Sequence, residues 1–214
     1  MKSGTSSKIN FWPALALLLL SFTLAWIFWL GGRKNRAVQF EPVFPVFGTL
    51  PDFSLTDQNG KTFSLSNLKG EVWIADFIFT HCSGICPLMT GKMKNLQEKI
   101  GIHPGIQFVS FSVDPDRDTP ETLQSYGEQY KAGLRWTFLT GDKKQIYGLS
   151  VQHFQLGVEE IPNEEREEPN QSVRHSSKFV LVDQKARIRG YYDSESQDLE
   201  KLARDAVKLA AMNP

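Results

Sequence analysis

The stretch "FIFTHCSGICPLMTGKM", residues 77–93, carries both cysteines of the chain, Cys82 and Cys86. Thiolates are soft metal ligands and also nucleophiles. A pair of them on one side of a turn supports either a two-sulfur clamp for Cu(I) or Zn(II), or a reversible dithiol–disulfide couple. The C-x-x-x-C spacing is one residue wider than that of ordinary dithiol redox sites. Four residues make about one helical turn, so in a helix both sulfurs face one side. A disulfide across that turn lies near the upper limit of the usual Cα separation, about 4.4–6.8 Å, and would be readily reduced. A permanent staple is the bland alternative, but closing so small a loop stabilises little. Two buried thiols without a role is the other.

A metal site needs a third donor, and the chain offers four histidines. His81 adjoins Cys82, yet at that offset its ring points away from the sulfur side, as a packing residue would. His103, in "GIHPG", reads as an exposed loop histidine. His153, in "SVQHFQL", follows a helical pattern and reads as packed or half-buried. His175, in "SVRHSSKFVLVD", directly precedes a buried strand, in a crossover able to return to the cysteines. The residues alone leave it open between ligand and loop histidine. Met89 carries a thioether that could meet Cu(I), but its position fits helix core. Asp114, Asp116 and Asp118, in "DPDRDTP", fit turn formation and capping that shape the neighbouring loop.

The elements that position these residues follow from pattern. "DFSLTDQNGKTFSL" is two alternating runs around Asn59-Gly60, a hairpin signature. "EVWIADFIFT" and "IQFVSFSV" are nearly continuous apolar runs of strand length, as in strands buried on both faces. The cysteines follow the first at once, at a strand's carboxyl end, where functional groups of open α/β sheets collect. A helix with Pro87 in its first turn and apolar Leu88, Met89, Met93, Leu96 and Ile100 ends at Gly101. Its N-terminus lowers the pKa of a nearby thiol. Thr119 caps a second helix opening at Pro120. "RWTFLTG" is a strand, "DKKQIYGLSVQHF" a helix opened by Asp142, and "KFVLVD" with "RIRGYY" a hairpin around "QKA". "SQDLEKLARDAVKLAAM" is a closing amphipathic helix. The alternation predicts an α/β fold with a parallel sheet centre and flanking helices. "EEIPNEEREE", residues 159–168, is read as a solvated loop, with an acidic docking surface as the sharper alternative.

Residues 11–30, "FWPALALLLLSFTLAWIFWL", form twenty uncharged residues. At about 1.5 Å per residue they match a hydrocarbon core of roughly 30 Å. Trp12, Trp26 and Trp29 sit toward the ends, as interfacial rings do. The expected organisation is a flank at 1–10, a single transmembrane helix at 11–30, a tether at 31–50 and a domain at 51–214. A cleaved signal peptide and a buried helix are the alternatives. Basic residues flank the span on both sides, so charge does not set its orientation. Residues 1–36 hold five basic residues and no acid, leaving 19 of the 24 basic residues against all 24 acidic ones. A folded part of that balance predicts no nucleic-acid partner.

Taken together, "PDFSLTDQNGKTFSLSNLKG", "FTHCSGICP", "FSVDPDRDTPETL" and His175 before "KFVLVD" resemble the Sco/SenC copper chaperones of the thioredoxin superfamily. The resemblance implies a thioredoxin-like sheet and copper, as Cu(I) or Cu(II), bound by Cys82, Cys86 and His175. It implies delivery of copper to the CuA site of cytochrome c oxidase subunit II, or thiol priming of that site. Other copper chaperones and thiol reductants are further implied partners. A bacterial inner-membrane protein with its domain in the periplasm is expected, because no long Arg/Ser-rich import leader is seen. The chain departs from the family in carrying Ser83-Gly84-Ile85 where many members have Pro-Asp-x, and Leu88-Met89-Thr90 where acids are frequent. A thiol–disulfide oxidoreductase, with Cys82 attacking and Cys86 resolving, is the second reading. It lacks the proline that such reductases carry where this chain has Ser176-Ser177. A peroxidase does not fit the spacing of threonine and proline around the cysteine, and a tethered adaptor would leave both cysteines dispensable.

Overall fold

The computed structural model describes residues 12, 19–26, 44–166, 172–194 and 198–212. It divides into two compact units, Met1–Val43 and Phe44–Pro214. In the first, residues 12 and 19–26 are helical, and Trp12, Leu19, Leu20, Phe22, Leu24 and Trp26 are exposed. The flank at 1–10, most of the anchor expected at 11–30 and most of the tether at 31–50 lie outside the described residues. Among the described residues no helix is long and apolar enough to cross a membrane.

The second unit begins with β1 (Gly48–Thr49), β2 (Ser54–Asp57) and β3 (Thr62–Ser64). The expected hairpin joins β2 to β3; Gly60 supplies its positive φ of 73°. The alternation then runs β4 (Val72–Ile78), α1 (Ile85–Ile100), β5 (Ile106–Ser112), α2 (Pro120–Gln129), β6 (Trp136–Thr140) and α3 (Lys143–Gly148), which continues as a π-turn to His153. A small hairpin follows, β7 (Val158–Glu160) and β8 (Val173–His175), then β9 (Lys178–Val182), β10 (Arg187–Asp193) and α4 (Asp198–Ala211). The main sheet is ordered β1-β10-β9-β4-β5-β6-β2-β3. Strands β4, β5 and β6 are mutually parallel and the rest pair antiparallel. This is the parallel centre expected from the apolar runs, and all seven residues of β4 are buried.

Local chemistry explains the boundaries. Thr119 Oγ1 accepts the Thr122 N–H at 3.3 Å ahead of Pro120, and the Asp142 carboxylate accepts the Gln145 N–H at 2.8 Å. Helix α1 ends at Gly101, φ 69°, whose N–H reaches Gln97 O at 2.9 Å. It starts at Ile85, so Pro87 is its third residue. Its buried side is Cys86, Met89, Thr90, Met93 and Leu96, whereas Leu88, expected in the apolar stripe, is exposed. Met89 is fully buried as core.

Strand alternation sorts β4 into two faces. Trp73 and Phe77 meet Phe111 and Phe154 in an aromatic layer with ring centroids 5.1–6.5 Å apart. Ile74, Asp76 and Ile78 point to the other face. There Ser110, opposite Asp76 in the neighbouring strand, donates to Asp76 and accepts from Trp136 Nε1, and Thr90 of α1 bonds the hydroxyl of Tyr126 of α2 at 2.7 Å.

Two features differ from the sequence reading. Residues 44–50, within the expected tether, pack onto the domain: Phe44 and Leu50 are buried, β1 pairs with β10, and Arg189 donates to the carbonyls of Phe44 and Pro45. And the segment before β9, read as a loop, contains the β7–β8 hairpin, with Val158 opposite His175. Val173 packs into the domain's hydrophobic core, and Ile161 is buried as well.

Candidate metal and dithiol centre

Strand β4 hands over to a short connection, Phe79–Gly84, at the carboxyl edge of the sheet. Its geometry is held from below by Asp118. This carboxylate is fully buried and accepts from Ser112 Oγ at 2.6 Å, Thr80 Oγ1 at 2.5 Å and the Thr80 N–H at 3.1 Å. His81 is exposed, with Nδ1 3.0 Å from Thr80 Oγ1 and 3.7 Å from Asp118, so it faces away from the sulfurs as expected. His153 is half-buried in the π-turn and takes no part in the site. His103 is half-buried too, not fully exposed, because its Nδ1 accepts the Gly105 N–H at 3.3 Å.

Cys82 is half-buried and Cys86, second residue of α1, is fully buried; both are free thiols. The two are chemically unequal. The Cys86 thiol donates to Cys82, and this bond is the largest influence lowering the Cys82 pKa to about 4. Burial opposes it, while His175 and the backbone N–H groups of Cys86 and Gly84 assist. Burial pushes the Cys86 thiol far up, and its bond to Cys82 and the negative charge there push it further. At neutral pH the pair is one thiolate and one thiol. Gly84 leaves room beside the sulfur: a Cβ there would lie 3.8 Å from Cys82 Sγ, ordinary contact.

His175 arrives because β9 runs antiparallel to β4, which puts the start of β9 beside the end of β4. Its Nε2 lies 3.0 Å from Cys86 Sγ. Its Nδ1 lies 3.0 Å from the Ser176 carbonyl oxygen. A carbonyl only accepts, so Nδ1 carries a proton, and Nε2 is the nitrogen turned to sulfur. Phe79 packs edge-on against the ring at 5.8 Å. The three donors singled out in the sequence thus meet. They meet as a hydrogen-bonded cluster: among the described residues no group of three or more His, Cys, Asp or Glu is already set out to hold a metal ion.

Asp76 was missed by sequence reasoning. It lies fully buried in β4 below the site and accepts from Ser110 Oγ at 2.6 Å, while its Oδ2 has no partner. Desolvation raises its pKa from 3.8 to about 7, against the Ser110 bond and the attraction of His175. The available signal was a single acid in an otherwise apolar strand.

The inequality of the thiols gives a direct test. Iodoacetamide should label the reduced full chain at Cys82 alone, with a rate flat above about pH 5 and falling through about pH 4. Cys86 should react only after unfolding. Peptide mapping that finds Cys86 labelled first would invert the assignment.

The fold and the cluster define a thioredoxin-like α/β protein with a dithiol–imidazole centre at the edge of its sheet. Residues 47–211 match the SCO1/SenC family model, and the chain belongs to that family. It is 38% identical over 163 residues to the SCO1 protein homolog of Bacillus subtilis, covering 74% of this chain and 81% of that one. BsSco, whose structure is described as showing a disulfide switch in a member of the Sco family of cytochrome c oxidase assembly proteins, superposes with a TM-score of 0.67. It is 33% identical, over 78% of this chain and 95% of that one. Arabidopsis thaliana ScoI, solved with copper bound, gives a TM-score of 0.64 at 26% identity, over 75% of this chain and 97% of that one.

Proposed function

We propose that this chain binds one copper ion through Cys82, Cys86 and His175 and delivers it to the CuA site of cytochrome c oxidase subunit II. The observation that carries the reading is the meeting of His175 Nε2 with Cys86 Sγ at 3.0 Å, beside the Cys82 thiolate. Two sulfurs and one imidazole form a soft donor set suited to Cu(I), and with an added oxygen to Cu(II). With metal–sulfur and metal–nitrogen bonds of about 2.3 and 2.0 Å, a trigonal plane separates S and N by about 3.7 Å. Loading therefore needs the imidazole to withdraw by a fraction of an ångström and the Cys86 proton to leave. Family membership, the copper-bound ScoI and the oxidase-assembly role of BsSco support this cargo and acceptor. An open three-donor site lets an incoming thiolate share the ion and draw it away.

The twenty uncharged residues 11–30 serve in this reading as a membrane anchor, with the domain on the periplasmic side of a bacterial inner membrane. The exposed apolar side chains of the helical residues 19–26 support it. The test of function is metal stoichiometry. The reduced full chain, loaded with Cu(I) anaerobically and desalted, should retain one copper per chain. Retention of none overturns the proposal.

The unequal thiols favour a second reading as a reductant of the acceptor's cysteines. The Cys82 thiolate would attack a partner disulfide, and Cys86 would resolve the mixed disulfide. The partner then leaves as a dithiol, Cys82–Cys86 is oxidised, and an external thiol reductant resets it. The disulfide switch described for BsSco supports this chemistry. Reduction of an acceptor disulfide by the copper-free protein would establish it.

A further inference from the structure

The loop between β5 and α2 touches both halves of the centre. Its buried Asp118 holds Thr80, two residues before Cys82. Its other end reaches the hairpin that carries His175. Arg117 donates through Nε to Asp114 at 2.6 Å and through Nη2 to Ser172 Oγ, at the foot of β8; Ser172 in turn donates to Asp114 at 3.3 Å. On the opposite side Lys143, first residue of α3, bridges Asp116 of the same loop at 3.1 Å and Glu160, last residue of β7. Ser172 and Glu160 flank the turn of the hairpin, where the Ile161 N–H meets the Ser172 carbonyl. β7 is thus tied to this loop through the Lys143 ion pairs and the residue before β8 through hydrogen bonds of Ser172 with Arg117 and Asp114, and the loop is fixed to the cysteine segment.

We infer that Arg117 and Lys143 are positioning residues: with Asp114, Asp116 and Asp118 they tie the His175 hairpin to the cysteine segment and set how readily the imidazole reaches the sulfurs. They touch neither the sulfurs nor the ring and act only through the hairpin. The part of the inference that concerns copper rests on the proposed function; the part that concerns the hairpin does not. The Arg117–Asp114 pair lies within the loop and aims Arg117 at Ser172. With Asp114 almost fully buried and Arg117 about one-third exposed, it is shielded more than the Lys143 bridges, whose acids are exposed. The larger effect belongs to Arg117. Because Ile161 and Val173 still bury the hairpin's inner side, loss of one clasp loosens it without unfolding the domain.

The experiment compares the full chain with Arg117→Ala, Lys143→Ala and the charge-retaining Arg117→Lys. In the reduced, copper-free protein, amide hydrogen exchange of the Ile161 and Ser176 N–H groups should quicken about tenfold in Arg117→Ala, less in Lys143→Ala, and be partly restored in Arg117→Lys. Exchange in β4 and β5 should not change. After copper loading, X-ray absorption should show two sulfurs in every variant but a weakened imidazole contribution in Arg117→Ala. Unchanged hairpin exchange overturns the inference whatever the copper result. Uniformly faster exchange across the sheet also overturns it, since that is general destabilisation. Quickened hairpin exchange in the variants, with a wild-type chain that takes no copper, would uphold the clasp and defeat the metal reading alone. Should Arg117→Ala not fold, Ser172→Ala removes the same contact at the hairpin's end and carries the same expectations.

Discussion

Replacing His175 by alanine is expected to weaken Cu(II) retention by about a hundredfold or more while leaving Cu(I) held within roughly tenfold of wild type. The asymmetry follows from the donors. Cu(I) is satisfied by two thiolates, and the variant keeps both Cys82 and Cys86. Cu(II) draws on imidazole nitrogen and expands its coordination, so deleting Nε2 removes a ligand that water replaces poorly. The substitution also removes the ring from its packing on Phe79 and one hydrogen bond that helps lower the Cys82 pKa. Cys82 labelling should therefore shift its pH midpoint upward by a modest amount, because the Cys86 thiol and two backbone N–H groups still stabilise the thiolate. Competition of each variant against a chelator, in both oxidation states, measures the prediction. No loss for either would mean that the imidazole is not a ligand, and equal losses would mean that Cu(I) depends on it as much as Cu(II) does.

How much of this centre could be read from the chain depends on the range of the physics involved. The cysteine pair is local: a buried strand, a turn and a helix start are written in "WIADFIFTHCSGICP", and the structure puts those elements there. Caps are equally local, and Thr119 and Asp142 form the hydrogen bonds their types suggest. His175 was placed only as far as topology allows, since its approach depends on β9 pairing antiparallel with β4 across about a hundred residues of sequence. The β7–β8 hairpin was not legible. Its strands are three residues each, its partners are charged, and no alternation stands out from the glutamate-rich background. It is held by Val173 in the core, by the buried Ile161 and by Arg117 and Lys143 from other segments, which no window of sequence contains. The packing of residues 44–50 was likewise hidden, because a two-residue strand has no period and its support comes from Arg189.

Asp76 shows how a local anomaly becomes informative once its surroundings are known. Asp76→Asn is expected to stabilise the reduced, copper-free chain by up to about 4 kcal/mol at pH 8, and hardly at all near pH 4. In the fold the carboxyl keeps its proton up to about pH 7, whereas in the unfolded chain it loses it near 3.8. Between those values the unfolded state binds fewer protons than the native state, so wild-type stability falls as pH rises through this window and levels off above about 7. Asparagine stays neutral throughout and mimics the protonated acid. Its oxygen can still accept from Ser110, and its amide faces the same unpartnered position as Oδ2. The difference between the two proteins should therefore grow by about 1.4 kcal/mol per pH unit from roughly pH 4 and saturate above about 7. Urea denaturation of both across pH 4–8.5 reads it directly. A constant offset, or an asparagine variant less stable at pH 8, would show that the buried carboxylate is held by a cation or water that outweighs its desolvation. In that event Asp76 would stabilise positive charge beneath the sulfurs instead of resisting its own ionisation.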